Sequence, residues 1–360
     1  MRLFSSLQKR ITPAQQQYTP LVNEEPTDSN EEPTDSGAWK ARLAGQLPPL
    51  HDRSPFDQLI SDYLTEDEKP DVSLVVCECI KHGNVDVLAC ILANEDIRTL
   101  CIEGPVDGRG WKTLAKAMPD SLLVAELQLS QKVILDAGKC EDLFRVLSRM
   151  PALENLSLRS VKVKRGFLFD QLRCPALPML AKLQISGSSN PKVGVYPLVR
   201  EILKACQVQS LSIDVSGAIT ARQHSKLAGL LHKQNRMSSL RLRIERRATP
   251  EEFECYMPFL CGKTPTPLVE LDLTGCCVQV GNFNKLIEAL SSNQPALESL
   301  LIGACSVAGD PNYREIVNII DLLPLARVKR LQHLDLSSNH LPKGKMVALL
   351  KALKEAKLLS

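Results

Sequence analysis

Aromatic residues are scarce in this sequence: 4 % of 360 residues, with two tryptophans and five tyrosines. A groove that stacks bases needs such side chains beside its cations, and so does a tight aromatic hot spot for a protein. Long apolar runs are also missing. No stretch of about 20 apolar residues occurs, so no membrane-spanning helix is expected. Met1-Arg-Leu-Phe-Ser-Ser-Leu-Gln-Lys-Arg10 lacks the apolar run of a secretory signal peptide. The net charge of +3 is far below that of a dedicated DNA-binding domain, and nucleic acid is not the expected partner.

Catalytic and metal-binding patterns are absent too. The histidines His51, His82, His224, His232, His333 and His340 form no HExxH and no HxH. His224 and His232 are expected as surface residues of an outer helix. Cys77-Glu-Cys79 is a CxC, and apart from nearby His82 nothing completes a zinc site. Gly262-Lys-Thr264 has the form of the end of a phosphate-binding loop, but Met257 stands where its first glycine belongs. Cys101 has no base among its expected neighbours, so no nucleophile–base pair forms. The expectation is a non-enzymatic protein with no catalytic residue, metal site or cofactor. The twelve cysteines fall mostly within apolar patterns, which suits buried thiols in a reducing compartment. A soluble, cytoplasmic protein is expected.

What the sequence does have is a period. Leu331-Gln-His-Leu334-Asp-Leu336-Ser-Ser-Asn339-His-Leu341 has the form LxxLxLxxNxL. Its spacing recurs at Leu297/Leu300/Ile302, Leu268/Leu271/Leu273, Met237/Leu240/Leu242, Val208/Leu211/Ile213, Leu180/Leu183/Ile185 and Leu153/Leu156/Leu158. Val124/Leu127/Leu129 and Ile97/Leu100/Ile102 extend it toward the N-terminus. The starts are separated by 27, 29, 27, 28, 29, 31, 29 and 34 residues. Nine copies in near-constant phase exceed what common leucine produces by chance. Side chains alternate along a strand, so positions 4 and 6 of each copy face one way and positions 3, 5 and 7 the other. One strand and its return helix cannot cover their own apolar faces, and copies must stack.

The motif and its spacing resemble the leucine-rich repeat, in the ribonuclease-inhibitor-like class with a period near 28. That resemblance implies an α/β solenoid, a horseshoe with parallel strands inside and helices outside, over residues 97–360. Ninth-position Asn339 is replaced by Cys276 and Cys305 in the two preceding copies. The expected return helices are Trp111–Met118, Cys140–Met150, Tyr196–Cys206, Arg222–Gln234, Glu251–Leu260 (opened by Pro250), Phe283–Ser292, Tyr313–Leu325 (capped by Asn312) and Lys343–Ala356. A less regular stretch, Phe167–Leu177, is interrupted by Pro175. The final helix leaves no expected room for a catalytic domain after it.

Residues 39–96 read as a helical N-terminal cap. Leu59–Leu64 has one apolar helical face before the acidic stop Glu66–Pro70. Val72–Ile80 and Val85–Leu92 suggest two further helices broken at Gly83-Asn84. Residues 1–38 read as a disordered leader, polar and acidic, with a tandem duplication of Asn23–Ser29 as Asn30–Ser36. Residues 1–71 carry 7 Lys/Arg against 13 Asp/Glu, a net of −6, so the remainder carries +9.

The repeat phase also names the side chains that are displayed together. Arg241 and Arg243 share one strand face, and Arg159 and Lys182 join them in a basic sector. Glu270 and Asp272 lie in the next row, about 5 Å away by ordinary strand spacing. His333 and Asp335 stand in the last row. These eight residues are the candidate protein-binding site. The same arrangement also suits neighbouring rows that simply neutralise one another. Lys162-Val-Lys-Arg165 and Arg246-Arg247 add basic loops beyond the strands.

A polar leader joined to a repeat body is similar to bacterial effectors delivered by a type III secretion apparatus. In that family the leader directs export and the repeats bind a host protein, which implies secretion into the host cytoplasm. Two alternatives stand beside it. Leu47-Pro-Pro-Leu50 with Phe56–Ile60 is similar to the opening of an F-box, which implies a substrate adaptor for ubiquitination. A native intracellular inhibitor or scaffold fits the same body.

Overall fold

A computed structural model describes residues 38–65, 71–103, 106–119, 122–130, 134–163, 173–187, 195–215, 220–244, 253–261, 268–276, 278, 280–303, 321–339 and 341–356. The leader therefore falls outside the described residues, except for Ala38. So do Glu66–Pro70, Arg165, Arg246, Arg247, the Gly262–Thr264 motif and Asn312.

Four helices come first: α1 (Ala38–Ala44), α2 (Pro55–Leu64), α3 (Val72–His82) and α4 (Val85–Asn94). Ser54 opens α2 in a reciprocal capping box with Asp57, and Ile60 and Tyr63 form its buried face. Gly83 ends α3 in the left-handed region at φ 72°, where a side chain would be strained. Asn84 then caps α4 by accepting from the Val87 amide. A break at Gly83-Asn84 is what the sequence leads one to expect.

Strand and helix then alternate. The chain runs β1 (Thr99–Glu103), α5 (Gly108–Ala117), β2 (Glu126–Ser130), β3 (Ile134–Leu135), α6 (Ala137–Ser148), β4 (Asn155–Val163) and β5 (Lys182–Gly187). It continues with α7 (Tyr196–Ala205), β6 (Ser210–Val215), α8 (Ala221–Leu231), β7 (Ser239–Ile244), α9 (Met257–Leu260) and β8 (Glu270–Asp272). The last elements are α10 (Val280–Asn293), β9 (Ser299–Leu301), β10 (His333–Asp335) and α11 (Lys343–Glu355). The nine strands β1, β2 and β4–β10 pair in sequence order, all parallel, in one open sheet. This is the expected leucine-rich repeat solenoid.

The register matches the repeat phase at every step. Leu100, Leu127, Leu156, Leu183, Leu211, Leu240, Leu271, Leu300 and Leu334 lie side by side across the sheet. The position-4, position-6 and position-1 residues are buried in every copy except at Leu334. Each leucine removed from water contributes about 1.5–3 kcal/mol. Leu334 departs from the expectation of full burial. It sits on β10, the edge strand of the sheet among the described residues, and is only half-buried.

Ninth-position residues join successive copies. Asn339 Nδ2 donates to Ile302 O at 2.7 Å and to Leu336 O at 3.1 Å. Cys276 Sγ reaches the equivalent carbonyl of its own preceding copy, Leu242 O, at 3.1 Å. The thiol thus replaces the amide as donor to the same backbone position; Cys305 lies outside the described residues. On the outside, Gln234 Nε2 donates to Leu203 O and Cys206 O while its Oε1 accepts from the Val208 amide. Arg149 likewise donates to Ala115 O and Met118 O.

Several local expectations are corrected. Among the described residues of Glu251–Leu260 the helix is interrupted: Phe253 and Glu254 are helical, Cys255 and Tyr256 form a turn, and α9 follows. Pro258 occupies its first turn and has no N–H for a helix interior. Of Tyr313–Leu325 only residues 321–325 are described, and there the chain enters a 3-10 turn, Leu323–Arg327, again with a proline at its start; the rest of that expected helix lies outside the described residues. His224 is not on the surface but 2 % exposed, with Nδ1 2.8 Å from Tyr256 Oη. A helix at this position turns one side inward, and His224 falls on that side beside Leu227 and Leu231. β3, which pairs with the extended end of β4, is an addition outside the repeat phase.

Candidate protein-binding face

Small polar side chains occupy the inner face because positions 3, 5 and 7 point away from the leucine core. A trough of ≈ 530 Å³ runs across β2 to β9. Of the eight candidates, Arg159, Lys182, Arg241, Glu270 and Asp272 line it. Arg243 stands one position beyond along β7, while His333 and Asp335 lie on β10, outside the trough.

The basic sector splits in two. Arg241 Nε lies 2.9 Å from Asp272 Oδ2, across the registered pair of β7 and β8. Asp272 Oδ1 also accepts from the Thr274 amide, which fixes the carboxylate. Arg243 turns to the opposite neighbour, with Nη1 3.8 Å from Asp214 Oδ2. The repeat phase placed Asp214 directly beside Arg243, so this partner was legible but unassigned. Glu270, expected to face the arginines, accepts instead from Ser239 Oγ at 2.8 Å. Asp335 accepts from the Ser337 amide at 2.8 Å, a bond that lowers its pKa.

Arg159 and Lys182 are held differently. At Ser160 the β4 backbone takes φ 56°, and the register with β5 shifts between Leu158 and Val161. Ser186 Oγ accepts from the Ser160 amide at 3.2 Å and anchors this bulge. The Arg159 guanidinium folds back onto Ser157 Oγ at 3.3 Å and Gln184 Oε1 at 3.4 Å, both neutral. Among the described residues the Lys182 ammonium has no ion-pair or hydrogen-bond partner.

The cysteines singled out by sequence lie at the N-terminal end. Cys79 is buried in the core, and burial pushes its thiol up to about 12. Cys77 Sγ accepts from the Glu103 amide at 3.4 Å, and its thiol is also raised, chiefly by burial. The Cys101 thiol is raised by burial first and then by Glu103. None of the three is an activated thiolate. No helix among the described residues is long and apolar enough to cross a membrane.

No family model matches the chain, and no curated protein matches it. Among solved structures it is similar to a leucine-rich repeat protein of Leptospira interrogans, at 12 % identity and TM-score 0.23, over 74 % of this chain and 84 % of that one. It is also similar to an internalin of Listeria monocytogenes, at 12 % identity and TM-score 0.25, over 85 % and 97 % respectively. The fold assignment rests on the repeat and its register.

Proposed function

We propose that the chain is a protein-binding module that receives its partner on the inner face of the sheet. The observation that supports this most is the trough itself. It crosses seven strands, offers small polar side chains, and keeps two cations without a carboxylate partner among the described residues. Folding alone gives no reason to leave such charges unmatched when Arg241 and Arg243 are matched nearby. In this reading α1–α4 serve as the cap of the solenoid and residues 1–38 as its leader.

The finer reading is a bacterial effector that binds a host protein. Its support is the polar, internally duplicated leader ahead of a repeat body. Deleting residues 1–38 should abolish export by a type III apparatus, and unchanged export would remove the effector assignment. The binding face is tested by Ser210→Trp with Ser212→Trp in the full chain, which fills the trough. Proteins captured from candidate host lysate by the parent should be depleted at least tenfold with the variant, while circular dichroism is unchanged. Equal capture by a folded variant would move the binding site off this face.

A further inference from the structure

The strand register places Glu126, Asn155, Lys182, Ser210, Ser239 and Glu270 on one line across the sheet. All six line the trough. Read along that line, the charges run negative, neutral, positive, neutral, neutral, negative. Glu126 accepts from Gln128 Nε2 at 2.8 Å and Glu270 from Ser239 Oγ, so among the described residues the hydrogen-bond partners of both carboxylates are neutral donors. Arg159, which starts four residues along β4 from Asn155, folds back onto Ser157 and Gln184 and gives the trough a second cation on the strand next to Lys182. Arg241 and Arg243 are excluded from this pattern because Asp272 and Asp214 already engage them.

We infer that this line is a charge template: it reads a partner segment that presents one carboxylate side chain flanked on both sides by basic side chains. The inference rests on the inner face being the binding face. Strands lie about 4.8 Å apart, so Glu126 stands about 10 Å from Lys182 and Glu270 about 14 Å beyond it. An α-helix laid across the strands meets both distances from a single face. Residues seven apart rise about 10.5 Å and residues eleven apart about 16.5 Å, each within about 20° of the same azimuth. Long lysine side chains on the helix span the remaining difference. Specificity arises because the opposite charge order sets like charges together at all three points.

The probes are two labelled alanine-rich helices of about 22 residues, long enough to hold helix in water. One carries lysines at its second and twentieth positions and a glutamate at its ninth. The other exchanges the signs, with glutamates outside and a lysine at the centre. Fluorescence anisotropy with the full chain at low salt should show the first binding at least tenfold more tightly. Arg159→Glu with Lys182→Glu should reverse that order, and Lys351→Glu with Lys354→Glu on α11, outside the trough, should leave it unchanged. Equal affinities, a preference that survives Arg159→Glu with Lys182→Glu, or no binding of either helix at millimolar concentration would overturn the template. Such a result leaves the inner-face reading intact, because the tryptophan variants test that reading with the captured partner and not with these helices.

Discussion

The two ends of the sheet solve the same problem differently. At the N-terminal end, α3 lies along the free edge of β1, where Cys77 Sγ reaches both the Glu103 amide and Cys101 O. Leu100, at position 4 of its copy, is 1 % exposed. At the C-terminal end, β10 is three residues long, and its position-4 leucine, Leu334, is half-buried. Between β10 and α11 a groove of ≈ 480 Å³ is lined by Leu331, Leu334, Leu336, Leu341, Met346 and Leu350. One residue type at one repeat position thus has two environments. The neighbour decides the burial, because each copy completes the core of the next.

The largest effect should come from that pair of leucines. Leu100→Ala should cost about 2–5 kcal/mol through lost burial and a residual cavity, whereas Leu334→Ala should cost about 1 kcal/mol. Urea denaturation of both variants measures the difference. Equal losses would show that the last copy is as well covered in solution as the first.

A smaller effect separates the ninth positions. Asn339→Ala removes donors to two backbone carbonyls and should cost about 1–2 kcal/mol by thermal unfolding. Cys276→Ala removes a weaker thiol donor to one carbonyl and should cost about 1 kcal/mol or less. A larger loss at Cys276 than at Asn339 would break the equivalence of the two positions.

The smallest effect should appear at β10 in acid. The Ser337 amide bond lowers the folded-state pKa of Asp335, so its contribution is present above the unfolded carboxylate value. It is lost as pH falls through the lowered folded value. Thermal midpoints of the parent and Asp335→Ala should therefore converge between pH 5 and the acid limit of folding. A gap independent of pH would assign the residue another role.

By itself the sequence determined the repeat, the strand register and the side chains of the inner face. Period-two alternation combined with a near-constant copy length leaves only one way to stack Leu100 through Leu334. Tertiary structure alone decided how the charges are shared. Arg243 has acidic residues in the rows on both sides, and the phase cannot say toward which its long side chain turns. It cannot foresee the bulge at Ser160 that folds Arg159 back onto Ser157 and Gln184, since backbone conformation there depends on the pairing with β5. Nor does it place His224 inward, where a partner 32 residues away, Tyr256, satisfies the ring. Repeat phase fixes where a side chain starts; the groups within reach of its far end fix where it finishes.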